Sequence, residues 1–182
     1  MVHMDVKNFG RIPVGGGLRK LGCGNDTTKG HSAVGYACLH HVVGDCSRLT
    51  YSEILDDEKK DTVVGFWNRA RDYFVGYDIA ISRVLTDNRP AYRPKLFNTV
   101  LAAGQVKHVF SRPYRPQTYG KVERFNRTLV AEWAYADTYD GEAARARQYP
   151  GWLHHYNHHR PHSALGGLTP AEVVHNLTGH NT

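Results

Sequence analysis

The 182 residues, with 41% hydrophobic content, suffice for a domain with a real core. A net charge of +6 points to an anionic partner. No apolar run approaches the roughly 20 residues of a membrane span, no signal-peptide pattern opens the chain, and three cysteines without a CxxC pair argue for a reducing, cytoplasmic setting and against a disulfide framework.

In chain order, residues 2–7 read as a short strand carrying Asp5. Residues 10–34 are Gly-rich and basic, and Gly15-Gly16-Gly17 suggests a turn in a hairpin insertion. The glycines lack the GK[ST] that makes a phosphate loop. Residues 35–43 form a second strand. A turn at Gly44-Asp45-Cys46 leads to a third over Arg48–Leu55, with Leu49, Tyr51 and Glu53 on one face and Thr50, Ser52 and Ile54 on the other. Asp57–Tyr77 has helical spacing in Val63, Val64, Trp67, Ala70 and Phe74, and acids crowd its N-terminal end, where the helix dipole favours them. Ile79–Thr86 is a fourth strand ending at Asp87. Tyr92–Ala103 is a second helix with Gly104 at its C′ position, and Gln105–Phe110 is a fifth strand. A loop with Pro113 and Pro116 gives way to a helix over 120–136, buried through Val122, Phe125, Leu129 and Trp133. A further helix spans 141–158, and a short one follows Pro170. This order predicts an α/β fold with a mixed five-stranded sheet flanked by helices, its first three strands antiparallel.

Charge concentrates in one stretch. Residues 107–127 hold six bases, Lys107, Arg112, Arg115, Lys121, Arg124 and Arg127, against one acid, Glu123. Tyr114, Tyr119 and Phe125 interleave with them, as aromatics do in nucleic-acid grooves. Asp5, Asp87 and Glu123 come from separate elements and suit a hard divalent cation, which takes carboxylate oxygens. By spacing alone such a triple is weak among 17 acids. Turn acids and a first-turn dipole partner are the plain alternative.

Five ordered segments shift that balance: VHMDVKNFGRIPVGGG, GDCSRLTYSEIL, VLTDNRPAYR, RPYRPQTYGKVERFNRTLVAEWAY and WLHHYNHHRPHSALGGLTP. Together they resemble the catalytic core of bacterial insertion-sequence transposases, the Asp-Asp-Glu integrase-core group akin to retroviral integrases, over residues 2–175. Thirty-five residues separate Asp87 from Glu123, as the group commonly has. The resemblance implies a ribonuclease H-like fold, with residues 1–136 as catalytic core and 137–182 as its helical extension. It implies Asp5, Asp87 and Glu123 as catalytic and metal-binding acids, with Mg²⁺ or Mn²⁺, two ions, as cofactor. Its chemistry is DNA cleavage and strand transfer, on element ends and target, by a homodimer or larger complex. Arg112, Arg115, Tyr119, Lys121, Arg124 and Arg127 are the expected DNA contacts.

Asp45 is the rival first carboxylate and reads as structural, bonding its turn or Arg48. The histidines at 154, 155, 158, 159 and 162 resemble a zinc cluster but lack nearby cysteines and an HExxH motif; helix-end packing or DNA contact is the reading preferred. Arg89 stands where the group usually has Gly, and is expected to cost backbone freedom and put a cation beside the site. Gly44 in place of Asp is expected to loosen its turn, and Tyr119 in place of Asn to stack on a base. The chain begins four residues before Asp5, where relatives carry a helix-turn-helix region. The expectation is therefore an excised or truncated core: either active, or an inactive remnant that binds DNA nonspecifically or inhibits intact transposase by dimerisation.

Overall fold

The computed structural model describes residues 1–16, 35–111, 120–177 and 179. Its elements are β1 (Val2–Gly10), β2 (Tyr36–Gly44), β3 (Thr50–Leu55), α1 (Lys60–Val75), β4 (Arg83–Thr86), α2 (Lys95–Ala103), β5 (Lys107–Phe110), α3 (Gly120–Leu129), α4 (Glu142–His158) and α5 (Pro170–Leu177). The sheet runs β3-β2-β1-β4-β5. β1–β2 and β2–β3 pair antiparallel, β1–β4 and β4–β5 parallel. The expected mixed sheet with an antiparallel first half is what forms.

Strand alternation divides β1 between two helical layers. Val2, Met4 and Val6 meet Val63, Phe66, Trp67 and Phe74 of α1 and Phe97 and Leu101 of α2. Phe9, from the opposite face of β1, meets Val122, Phe125 and Leu129 of α3 and Tyr149 and Tyr156 of α4. Asp5 shares the parity of Phe9 and therefore looks toward α3. Leu49, just before β3, and Tyr51 pack with the α1 layer and Ile54 with the α3 layer, as the alternation predicted; Leu55 joins the α1 layer.

Four local expectations are corrected. Helix α2 ends with Gly104 at φ −85. The left-handed residue is Gln105, φ 56. Val106 N donates to Leu101 O at 2.9 Å and Gln105 N to Ala102 O at 3.0 Å, a Schellman closure shifted one residue past the glycine. The helix expected over 120–136 turns from α to π geometry over Val130–Ala134. That wider turn accompanies the seating of Trp133, whose ring meets Phe9 and Tyr149 and whose Nε1 donates to Arg145 O at 3.1 Å. Gly44 does not loosen its turn, which closes through Gly44 N to Leu49 O at 2.8 Å and Arg48 N to Gly44 O at 3.1 Å; a Cβ there would stand 2.8 Å from Ser47 Oγ, and that side chain would have to shift. The glycine-run turn starts earlier than read, at Pro13, whose O accepts from Gly16 N at 3.1 Å, with Gly15 at φ 92. The rest of the hairpin insertion, residues 17–34, lies outside the described residues.

Cys38 and Cys46 are free thiols. Among the described residues no helix is long and apolar enough to cross a membrane.

Arg145 fastens α4 to the end of β1. It is fully buried, its guanidinium lies 5.6 Å from the ring centroids of Phe9 and Trp133, and Nη2 donates to Gly10 O at 3.0 Å and Glu142 Oε2 at 2.7 Å. Removing one partner of a buried ion pair typically costs about 3–5 kcal/mol. Arg145→Met should therefore lower unfolding free energy by about 3 kcal/mol in urea titrations, the lower bound because Glu142 keeps some water. A loss below about 1 kcal/mol would contradict the fastening role.

Candidate active site

Parallel pairing of β1 with β4 sets the site. His3 lies level with Leu85. Two residues on from that pair stand Asp5, within β1, and Asp87, one residue past the end of β4, near enough for the charge of Asp5 to act on Asp87. Asp5 is only 6% exposed. Its Oδ2 accepts from Asn126 Nδ2 of α3 at 3.2 Å. Its Oδ1 has no hydrogen-bond partner, nor does the buried Oδ1 of Asn126. His41 Nε2 stands 3.9 Å from Asp5 Oδ2. Burial pushes the His41 imidazole down to about 3, so it is neutral and adds no charge to balance the carboxylate.

Asp87 lies just past the end of β4 and is held from one side. Its Oδ1 accepts from Arg89 N at 3.0 Å and its Oδ2 from Arg89 Nε at 2.9 Å. Arg89 Nη1 reaches Glu58 Oε2 at 3.4 Å. Burial raises both carboxyls above their ordinary range. For Asp5 the Arg89 charge opposes this. For Asp87 the Arg89 backbone N–H and guanidinium oppose it, while the charge of Asp5 adds to it. The cost expected of Arg89 is corrected here: φ is −59 and ψ 149, the extended shape a residue before proline takes, so no left-handed turn is denied. Its effect is electrostatic.

Glu123, in the first turn of α3, is half-exposed and lies 3.9 Å from Arg127 Nη2. It shares an open cleft with Lys7, Asn126, Arg127 and Val130. Among the described residues no three His, Cys, Asp or Glu side chains gather closely enough to hold a metal ion. The donors nonetheless suit a hard cation: oxygens only, two of them buried and unpartnered. What keeps the arrangement from being a cradle is the Arg89 guanidinium on Asp87 and the outward pose of Glu123.

Asp45 is bound as a structural acid would be. Its Oδ1 takes His3 Nε2 at 2.8 Å and Lys121 Nζ, and Arg48 reaches its backbone carbonyl rather than its carboxylate. Burial alone would raise it; the Lys121 and His3 hydrogen bonds bring it below the ordinary value. Lys121 is thus anchored, while Arg124 and Arg127 are exposed. Arg112, Arg115 and Tyr119 lie outside the described residues. At the end of α4, His154 and His158 stack at 4.6 Å and His159 Nε2 lies 3.2 Å from His154 Nε2, while Arg160 grips Glu132. Sequence reasoning passed over Asn126 and Glu58 as site members. Asn126 carried a signal, one helical turn after Glu123 on the same face; Glu58 carried none, since it faces Arg89 only through the fold.

An integrase core domain model matches residues 1–116, and a second of the same description matches 104–170. The chain is 28% identical over 103 residues to an uncharacterized 39.2 kDa protein of insertion element IS476 from Xanthomonas euvesicatoria, covering 57% of this chain and 29% of that protein. It is 31% identical over 98 residues to a Pol-related polyprotein of mouse intracisternal A-particle MIA14, covering 50% and 10%. The chain thus matches less than a third of the length of either relative. In solved structures it resembles the BIV integrase catalytic core domain, TM-score 0.62 at 18% identity over 98% of this chain and 95% of that one. The HTLV-2 integrase catalytic core domain in complex with magnesium gives 0.63 at 16%, over 96% and 95%. A simian T-cell lymphotropic virus intasome in complex with PP2A regulatory subunit B56 gamma gives 0.67 at 18%, over 96% and 53%. The sheet and its flanking helices match these cores, the ribonuclease H-like fold that the sequence implied.

If Arg89 neutralises the two buried acids, Arg89→Ala should be less stable, and more so as pH rises. A carboxyl whose folded pKa exceeds its unfolded one carries no penalty below the unfolded value and a full one above the folded value. Its deficit in Tm should therefore widen from acid pH to neutrality. At neutral pH, Mn²⁺ at a hundredfold excess over its Kd adds about 2.7 kcal/mol, roughly 5–10 °C at ~2–4 °C per kcal/mol. The variant should gain this and the parent much less. Equal gains would show that Arg89 does not compete with a cation.

Proposed function

The chain belongs to the integrase core domain family, and from that premise we propose that it is the catalytic core of an insertion-sequence transposase, with Asp5, Asp87 and Glu123 as its catalytic acids. The observation that carries the assignment is the juxtaposition of Asp5 and Asp87 across β1 and β4, with a buried, unpartnered oxygen on Asp5. In this reading, residues 1–136 are the core and 137–182 an extension of the same domain. Its support is Asn157 of α4, which bonds Thr50 N and O of the edge strand at 3.0 and 2.7 Å.

The reaction is a pair of displacements at phosphorus. Water attacks at the element's end, forming a P–O bond and releasing a strand with a free 3′-OH. That oxygen then attacks a target phosphodiester, forming one P–O bond as the target's P–O3′ bond breaks. Asp5, Asp87 and Glu123 would hold the divalent cation, Mg²⁺ or Mn²⁺ and two ions in the full site, which would supply charge neutralisation at the reacting phosphate. The chain's part is to hold and orient. Asn126 fixes Asp5 Oδ2 and leaves Oδ1 for ligation. Neutral His41 behind it adds no competing charge. Arg127, beside Glu123, is set to meet a backbone phosphate. Arg89 must leave Asp87 for the acids to act together. The partners are element-end and target DNA and a second copy of the chain, in the cytoplasm.

The Arg89 clamp favours a second reading: a core that binds DNA without cutting it and inhibits intact enzyme by pairing with it. Nicking of supercoiled plasmid in Mn²⁺ separates the two. The first reading expects slow nicking by the parent, faster nicking by Arg89→Gly, and losses on the order of 10²-fold in Asp5→Asn and Glu123→Gln. Undiminished nicking by Asp5→Asn would overturn the catalytic assignment. Silence from both the parent and Arg89→Gly would favour the second reading.

A further inference from the structure

Helix α3 has a second functional edge. On the side away from Asp5, a cavity of about 360 Å³ opens between α3 and the turn that follows α4. Four cations line it, Arg48, Lys121, Arg124 and Arg160, and no acid does. Two carboxylates outside the lining offset part of that charge: Asp45 on Lys121 and Glu132 on Arg160. Two positive charges remain uncompensated among the described residues. Thr128 and Ser163 add hydroxyls to the wall.

The wall is built rather than incidental. Arg48 holds φ 63, a conformation that non-glycine residues seldom keep without cause. The turn after α4 is closed by His162 N to Leu168 O at 3.0 Å and Gly167 N to His162 O at 2.9 Å, with Gly166 and Gly167 at φ 67 and 88. Such closure fixes Ser163, and the ion pair with Glu132 fixes Arg160, before any ligand arrives, which lowers the ordering cost of binding.

The same helix joins this cavity to the carboxylate cleft. Lys121, Arg124 and Arg127 follow one another at three-residue spacing, a single row along α3. The first two line the cavity and the third lines the cleft that holds Glu123. Six residues rise about 9 Å, so the cavity and the cleft lie within a short reach of one another along one strand. We propose that the cavity between α3 and the 160–164 turn is a phosphate pocket that seats one backbone phosphate of the DNA strand, a few nucleotides from the bond held at the acids. This rests on the reading of the chain as a DNA-acting core and adds to it a site that includes Arg48, Arg160 and Ser163.

The test withholds metal, so cleavage does not enter. Binding of labelled duplex DNA in EDTA is followed by fluorescence anisotropy across a salt series. Ser163→Glu places a negative charge in the cavity at an exposed position. Lys60→Gln removes one positive charge from exposed α1, far from it in the fold, and controls for net charge. Ser163→Glu should weaken binding several-fold and flatten the log Kd against log salt slope by about 0.9, one phosphate contact. Lys60→Gln should change the slope little, and Glu123→Gln should not weaken binding. Equal effects of Ser163→Glu and Lys60→Gln would overturn the pocket while leaving the acids' assignment standing. A parent chain that does not bind DNA at all would overturn both.

Discussion

The site is organised by one buried carboxylate. Asp5 sits on the central strand with 6% exposure and a single side-chain hydrogen bond, from Asn126. A charge so placed is costly unless something positive faces it. The surrounding imidazole does not help, because burial keeps His41 neutral. The nearest compensation is Arg89, which also holds Asp87 and touches Glu58. Three acids and one arginine thus form a cluster that leaves excess negative charge at the end of the parallel strands. A divalent cation answers the same electrostatic need with two charges. In the reading proposed above, the guanidinium and a cation compete for one place, and Arg89 favours the guanidinium.

Much of this was legible before any coordinates. The first strand was read over residues 2–7 with Asp5 inside it, and β1 forms there and runs on to Gly10. Helical spacing in 63–74 and 122–133 marked both layers. The acids Asp87 and Glu123 were read at the end of the fourth strand and in the first turn of a helix, and the structure has them just past β4 and in the first turn of α3. These signals are local, or follow from a period, and periods survive packing.

What stayed hidden depends on tertiary closure. Nothing in the sequence distinguishes Glu58 from its acidic neighbours, yet it alone of that group reaches Arg89. The π turn at Val130–Ala134 follows from where Trp133 must sit against Phe9 and Tyr149, which lie far apart in the chain. Gly104 looked like the left-handed residue because glycine has no Cβ penalty, but closure of the Schellman bonds falls one residue later, on Gln105. Arg48 and Arg160 are separated by most of the chain, so no window of sequence could pair them.

The geometry of α3 explains why a lone acid sits in a basic stretch. Its apolar stripe, Val122, Phe125 and Leu129, is spent on the sheet and α4. That leaves two edges. One presents Glu123 and Asn126 to the strand ends. The other presents Lys121 and Thr128 to the turn after α4. Arg124 adds to the cavity and Arg127 to the cleft, and both are exposed. An acid on the second edge would cancel the positive charge of the cavity, and a base in place of Glu123 would leave the cleft without its acid. Helix α3 thus carries opposite chemistry on its two edges, and the alternation of charge in GKVERFNR is its trace in the sequence.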